Sequence, residues 1–170
     1  MSRKFVFKVI VIGNPAVGKT SLIKRFSEHK FETEYKPTLG ANILIKEVEI
    51  ENILIKLLLY DIAGQMKWSE VRQLYYKGAQ GAIIVYDCTR PGTFNSITKW
   101  HGELLKNAGA IPKVLLGNKV DLKDKRKIDS TQGAELASEL NCHFFETSAL
   151  NGTKVVDAFN NIAKTLLNRQ

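Results

Sequence analysis

The chain has 170 residues, 44% hydrophobic and 25% charged, which excludes a disordered chain and suits one domain over residues 1–170 with a sizeable core. Its formal net charge of +8 invites a nucleic-acid reading, but the densest basic stretch, KDKRK (Lys123 to Lys127), is diluted by Asp121 and Asp124 and carries no interleaved aromatic residue for base stacking, so no nucleic-acid partner is expected. Cys88 and Cys142 form neither a disulfide framework nor a ligand cluster with the three scattered histidines, so a reducing, cytoplasmic setting is expected.

The opening MSRKFVFKVIVIGN has the basic-then-apolar order of a signal peptide, yet Lys8 interrupts it and it runs into GNPAVGKT rather than a small-residue cleavage site. The apolar run FVFKVIVI therefore predicts a first strand. Leu22, Ile23 and Phe26 then recur at helical spacing. NILIKEVEI and ILIKLLLYD meet at Glu51-Asn52 and predict a hairpin that adds one antiparallel strand. GAIIVYD and KVLLGN, rich in β-branched residues, suit parallel strands buried on both faces, and HFF predicts a further strand end. Two more core-facing stripes are expected, one of Phe94, Ile97, Trp100, Leu104 and Leu105 and one of Val155, Val156, Phe159, Ile162, Ala163, Leu166 and Leu167. The sum is a doubly wound α/β domain with helices on both faces of a mostly parallel sheet, whose ligands should bind at the carboxyl ends of the strands.

No stretch approaches the ~18 apolar residues of a membrane span. Ser2 does not fit the myristoylation pattern and the closing LLNRQ offers no cysteine to prenylate, so any membrane contact is expected to be peripheral.

At the end of the first strand, Gly13, Gly18, Lys19 and Thr20 complete G-x-x-x-x-G-K-[ST] just before a helix. Glycines let the backbone wrap so that successive N–H groups point inward, and the helix adds the positive end of its dipole. Lys19 brings a full charge to β and γ phosphates, and the Thr20 hydroxyl suits magnesium. The candidate phosphate cradle is thus Gly13, Asn14, Pro15, Ala16, Val17, Gly18, Lys19, Thr20 and Ser21. Such a loop serves kinases, ATPases and GTPases alike. GNKVD (Gly117 to Asp121) favours the last, because the Asp121 carboxylate can accept from the guanine N1–H and exocyclic amine, whereas adenine would leave it unpaired. ETSAL (Glu146 to Leu150) can bring the Ala149 N–H to the guanine carbonyl.

With GNPAVGKTS, YKPTLG, LLLYDIAGQ, GNKVDL and ETSAL in this order and spacing, nearly the whole chain resembles the Ras superfamily of small GTPases, most closely its Rab branch through YKPTLG, QLYYKGAQGAIIVYD and TSAL. The resemblance implies the fold of a P-loop NTPase G domain, with a six-stranded sheet and one antiparallel strand. It implies a switch that binds GTP or GDP with magnesium, hydrolyses GTP slowly, and changes partners when the segments around Thr38 and Gln65 relax on loss of the γ phosphate. By the same resemblance Thr20, Thr38 and, through water, Asp61 hold magnesium; Gly64 approaches the γ phosphate; and Gln65 orients the attacking water, with Lys19 and Thr38 assisting. Phe31 packs on the guanine edge, the stem of Lys119 covers the base, and Asn118 braces the two loops. Tyr35, Leu122, Ser148 and Leu150 complete the nucleotide-binding candidates.

Expected partners of this monomer are an exchange factor, a GTPase-activating protein, and effectors on a hydrophobic triad at Ile43, Tyr60 and Tyr75. The sequence departs from the branch at Ile43 (usually phenylalanine), Tyr60 (tryptophan), Ile62 (threonine) and Met66 (glutamate). Pro15 replaces the usual glycine or serine beside the γ phosphate, which keeps a second reading open: a GTP-binding module with little or no hydrolysis.

Overall fold

The computed structural model describes residues 3–28, 38 and 40–170. In chain order the elements are β1 (Lys4–Gly13), α1 (Lys19–Glu28), β2 (Ala41–Ile50), β3 (Ile53–Ile62), α2 (Ser69–Tyr76), β4 (Gly81–Asp87), α3 (Pro91–Asn95), α4 (Ile97–Ala108), β5 (Lys113–Asn118), α5 (Ser130–Glu139), β6 (His143–Thr147) and α6 (Val155–Leu167). They build one six-stranded sheet in the order β2-β3-β1-β4-β5-β6, in which β2 runs antiparallel to β3 and every other pairing is parallel. The antiparallel hairpin turns on Glu51 and Asn52, at φ 52° and 64°, the double positive φ that a two-residue turn needs to match strand twist.

Side chains alternate across β1, and both sets are buried because helices cover both faces. Val9 and Val11 pack with Leu22 and Phe26 of α1 and Phe159 and Ile162 of α6. Ile10 and Ile12 face the other way, toward Tyr76 of α2, Ile97, Trp100 and Leu104 of α4, and Ala137 of α5. The near-continuous apolar run of β1 follows from burial on two sides. The rings of Phe26 and Phe159 stack with centroids 4.4 Å apart, joining α1 to α6.

Two expected core residues are not core. Leu105 and Val156 are each 44% exposed, whereas the adjacent Leu104 and Val155 are fully buried; Leu105 lies about 100° around α4 from Leu104, and Val156 stands in the first turn of α6. Phe94 lies on α3 rather than α4 and packs edge-on against Tyr86, centroids 4.9 Å apart.

The parallel strands β1, β3, β4, β5 and β6 end along one edge of the sheet. Between β3 and β4 the order reverses around β1, since α1 lies on one face and α2 on the other. The loop after β1 opens at that crevice, where open α/β sheets bind ligands. Among the described residues no helix is long and apolar enough to cross a membrane.

Candidate nucleotide-binding site

The loop from Gly13 to Gly18 is held from outside by side chains that grip its carbonyls. The Lys119 ammonium donates to Ala16 O at 2.8 Å, the Asn118 amide to Val17 O at 2.9 Å, and the Arg90 guanidinium to Pro15 O at 2.9 Å. Lys19 is buried and donates to Gly13 O (2.9 Å) and Asn14 O (2.8 Å), so its ammonium sits within the loop's own curve. Burial pushes that ammonium down to about 8; Asp61 opposes the fall, and the cations Arg72 and Arg90 add to it. Gly18, at φ 105°, has no room for a side chain, because a Cβ there would overlap the Asn118 amide.

Not every side chain of the predicted cradle faces inward. Asn14 accepts from the Trp100 indole at 2.7 Å and donates to Ser96 at 3.3 Å, so its side chain faces α3 and α4 and only its main chain belongs to the loop. Val17 is fully buried in the core. Ser21 is half-buried in the first turn of α1. Neither Phe31 nor Tyr35 falls among the described residues.

The predicted base-recognition residues converge from two strand ends. Asn118, at the end of β5, accepts from Thr147 at 3.0 Å while it grips Val17, and so ties β6 to the phosphate loop. The Ser148 hydroxyl donates to Asp121 Oδ1 at 2.7 Å, aligning the carboxylate expected to meet guanine. Leu122 N–H donates to Lys119 O at 3.0 Å, a turn that leaves Leu122 at the surface. Arg25 of α1 donates to Ala149 O (2.8 Å) and Leu150 O (2.5 Å), fixing the loop after β6.

Three oxygen-bearing side chains gather where a metal is expected. Thr20 and Thr38 hydroxyl oxygens lie 3.0 Å apart, Thr38 donates to Asp61 Oδ2 at 3.3 Å, and Thr20 donates to the same atom. Asp61 Oδ1 is buried and has no hydrogen-bond partner among the described residues. Burial pushes the Asp61 carboxyl above the ordinary range, against the bonds from Thr20 and Thr38 and the Lys19 charge. A hard dication fits this set: hydroxyl and carboxylate oxygens are its preferred donors, and it would satisfy the orphaned Oδ1.

Gly64 lies flat on the phosphate loop, where a Cβ would collide with Gly13 O and the Asn14-Pro15 peptide. Gln65 is turned elsewhere: its side-chain oxygen accepts from the Trp68 indole at 3.0 Å, while Arg72 holds its main-chain carbonyl at 2.8 Å.

Comparisons with known proteins show the family. The Ras family model matches residues 8–168. The chain is 42% identical over 163 residues to Ras-related protein Rab-13 of Canis lupus familiaris, covering 95% of this chain and 80% of that one. It is 42% identical over 174 residues to Ras-related protein RABA5b of Arabidopsis thaliana, covering 97% and 80%, and 40% identical over 163 residues to GTP-binding protein YPT1 of Saccharomyces cerevisiae, covering 95% and 79%. The chain belongs to the Rab branch of the Ras superfamily. It is a small GTPase, an enzyme that hydrolyses GTP.

Seen as a Rab-branch GTPase, the chain brings its three triad positions together. Ile43 pairs with Tyr60 across β2 and β3, and the Tyr60 ring lies 6.2 Å from that of Tyr75. Ile43 is 49% exposed and Met66 69%, whereas Ile62 is fully buried in the α2-side core.

Sequence reasoning missed the residues that hold this GTPase site from behind: Asp87, Arg90, Arg25, Trp68 and Thr147. Only Asp87 carried a signal, an acid closing the strand GAIIVYD on the same edge as the other loops. Its Oδ1 accepts from Thr89 N–H (2.8 Å) and hydroxyl (2.6 Å), and its Oδ2 from Arg90 Nε and Lys119 Nζ, both at 3.1 Å.

Proposed function

We propose that this GTPase is a magnesium-dependent guanine-nucleotide switch, bound at the edge formed by β1, β3, β5 and β6. The observation that carries the proposal is the meeting of Thr20, Thr38 and Asp61, with one carboxylate oxygen left without a partner among the described residues. Thr20, Thr38 and, through water, Asp61 would hold magnesium there, and it would supply neutralisation of the phosphate charge.

The chain's own groups do the rest. Asp121, aligned by Ser148, accepts from the guanine N1–H and exocyclic amine, and the Ala149 N–H meets the guanine carbonyl. Carbonyls of the phosphate loop are gripped from outside, so its N–H groups face the phosphates, and Lys19 exchanges its two carbonyl partners for phosphate oxygens. Gln65 leaves Trp68 to orient the attacking water. Its segment and Thr38 release when the γ phosphate departs, and this difference is what partners read.

Hydrolysis is slow because no arginine stands in FETEYKP, just before Thr38, so a GTPase-activating protein supplies the charge. An exchange factor reloads the site, and effectors dock on Ile43, Tyr60 and Tyr75. The monomer works in the cytoplasm, peripherally at a membrane, in Rab-like trafficking. Release of a fluorescent GDP tests the site: EDTA should accelerate it at least tenfold in the wild type and little in Thr20→Ala, whereas EDTA-insensitive release by the wild type contradicts the metal reading.

A further inference from the structure

We propose that Arg90 is a positioning residue for the phosphate cradle, acting through the Pro15 carbonyl to aim the Ala16 N–H at the β phosphate. The inference rests on the nucleotide site as read above and adds a residue from outside every motif of that site.

A trans peptide carries its C=O and N–H on opposite sides, and every peptide among the described residues is trans. Fixing a carbonyl therefore fixes the direction of the next residue's N–H. Arg90 Nη2 holds Pro15 O, which sets Ala16 N–H; Lys119 holds Ala16 O, which sets Val17 N–H; Asn118 holds Val17 O, which sets Gly18 N–H. Three consecutive donors of the loop are aimed by three side chains, and the first of them depends on Arg90.

The clamp is needed because the loop is under strain at this point. Ala16 sits at φ 63°, a left-handed conformation that a residue with a Cβ holds only when its surroundings impose it. Pro15 has no N–H of its own to offer, so the next donor along the chain carries more of the cradle.

Arg90 is itself held in place. Its Nε pairs with Asp87 Oδ2 at 3.1 Å while Nη2 of the same planar fork reaches Pro15. Asp87 is buried, is anchored by Thr89, and shares Oδ2 with Lys119 at 3.1 Å. One carboxylate thus orients both cations, tying the end of β4 to the phosphate loop and to the loop after β5. A lysine at position 90 could keep the Asp87 pair but not the fork that reaches Pro15 as well.

The test is phosphorus NMR of the GDP-bound protein together with GDP dissociation rates, for wild type, Arg90→Ala and Arg90→Lys. Both variants should shift the β-phosphorus resonance, leave the α-phosphorus resonance in place, and release GDP about tenfold faster, the loss expected for one charge-assisted bond. Should Arg90→Ala fail to fold, Arg90→Lys, which keeps the Asp87 pair, gives the same readout. A β-phosphorus resonance unchanged in Arg90→Lys, with wild-type GDP release, overturns the proposal and leaves the nucleotide site standing. Failure of the wild type to bind GDP overturns both. A merely structural role would show as lowered unfolding temperature with both resonances unmoved, which also overturns the proposal.

Discussion

Arg72 holds the main-chain carbonyl of Gln65 at 2.8 Å and the Ala63 carbonyl at 3.4 Å, although it lies on α2, seven and nine residues further along the chain. Its guanidinium is buried, pairs with Glu103 at 3.3 Å and lies 4.7 Å from the centre of the Trp100 ring. Glu103 in turn accepts from the Tyr76 hydroxyl at 2.7 Å. Arg72→Ala strands a mostly buried carboxylate and frees the segment before α2, so it should lower stability by about 3 kcal/mol and slow GTP hydrolysis by roughly tenfold. Urea unfolding of the GDP-bound protein and single-turnover rates check the two effects; Arg72→Lys should rescue neither fully, because one ammonium cannot replace the fork.

The Gln65 side chain has the opposite restraint. In the proposed mechanism, its bond from the Trp68 indole must break before the amide can orient water. Trp68→Phe keeps an aromatic ring but removes the donor, so intrinsic hydrolysis should rise about two- to tenfold, the range of one neutral hydrogen bond of ~0.5–1.5 kcal/mol. The check is the intrinsic rate of phosphate release measured without any partner; a slower variant would mean that the bond helps rather than hinders.

In the proposed reading, base selection rests on Asp121, whose carboxylate accepts from Ser148 at 2.7 Å. Asp121→Asn replaces a carboxylate acceptor with an amide that can donate to the xanthine carbonyl standing where guanine has its exocyclic amine. GDP binding should weaken by about 1.5–3 kcal/mol and XDP should gain. Competition binding of GDP against XDP reads the switch directly, and an unchanged GDP preference would displace guanine from this end of the site.

Much of this was legible in the sequence because the signals were local. Gly13, Gly18, Lys19 and Thr20 fall within eight consecutive residues, and the hairpin at Glu51 and Asn52 needs only two. The apolar runs of β1, β4 and β5 announce burial on both faces. What escaped is non-local. Nothing in the sequence joins Arg90 to Pro15, Arg25 to Ala149 or Thr147 to Asn118, since each pair meets only after the strands line up along one edge. Leu105 and Val156 escaped for a different reason: periodicity marks the apolar positions of a helix but not how far its buried face extends, which the neighbouring elements set, so that Leu22 and Ile23, or Ile162 and Ala163, are both buried while Leu105 and Val156 are exposed beside Leu104 and Val155. Nor does the sequence show that the Asn14 side chain turns to Trp100, a partner 86 positions away.

Asp87 gives the molecule an acid-sensitive joint. Burial alone would raise its carboxyl, but the bonds from Thr89 and the Lys119 charge outweigh burial and hold it below the ordinary carboxylate range. A carboxyl depressed on folding contributes stability that is complete above its unfolded pKa, about 4, and is lost as pH falls through the lower folded value. Asp87→Asn should therefore be less stable by about 2 kcal/mol at pH 7, and the gap should narrow below about pH 4. Denaturant unfolding at pH 7, 5 and 3.5 measures it; a gap that stays constant with pH would remove Asp87 as the source.

The central claim is that GTP is hydrolysed at this edge with Gln65 orienting the water. Single-turnover phosphate release from labelled GTP with magnesium, for wild type and Gln65→Leu, tests it most directly. The account predicts slow wild-type release, on the order of 0.0001 to 0.001 per second, and slower release still in Gln65→Leu, with GTP bound equally well by both. Wild-type release that Gln65→Leu leaves unchanged would contradict it.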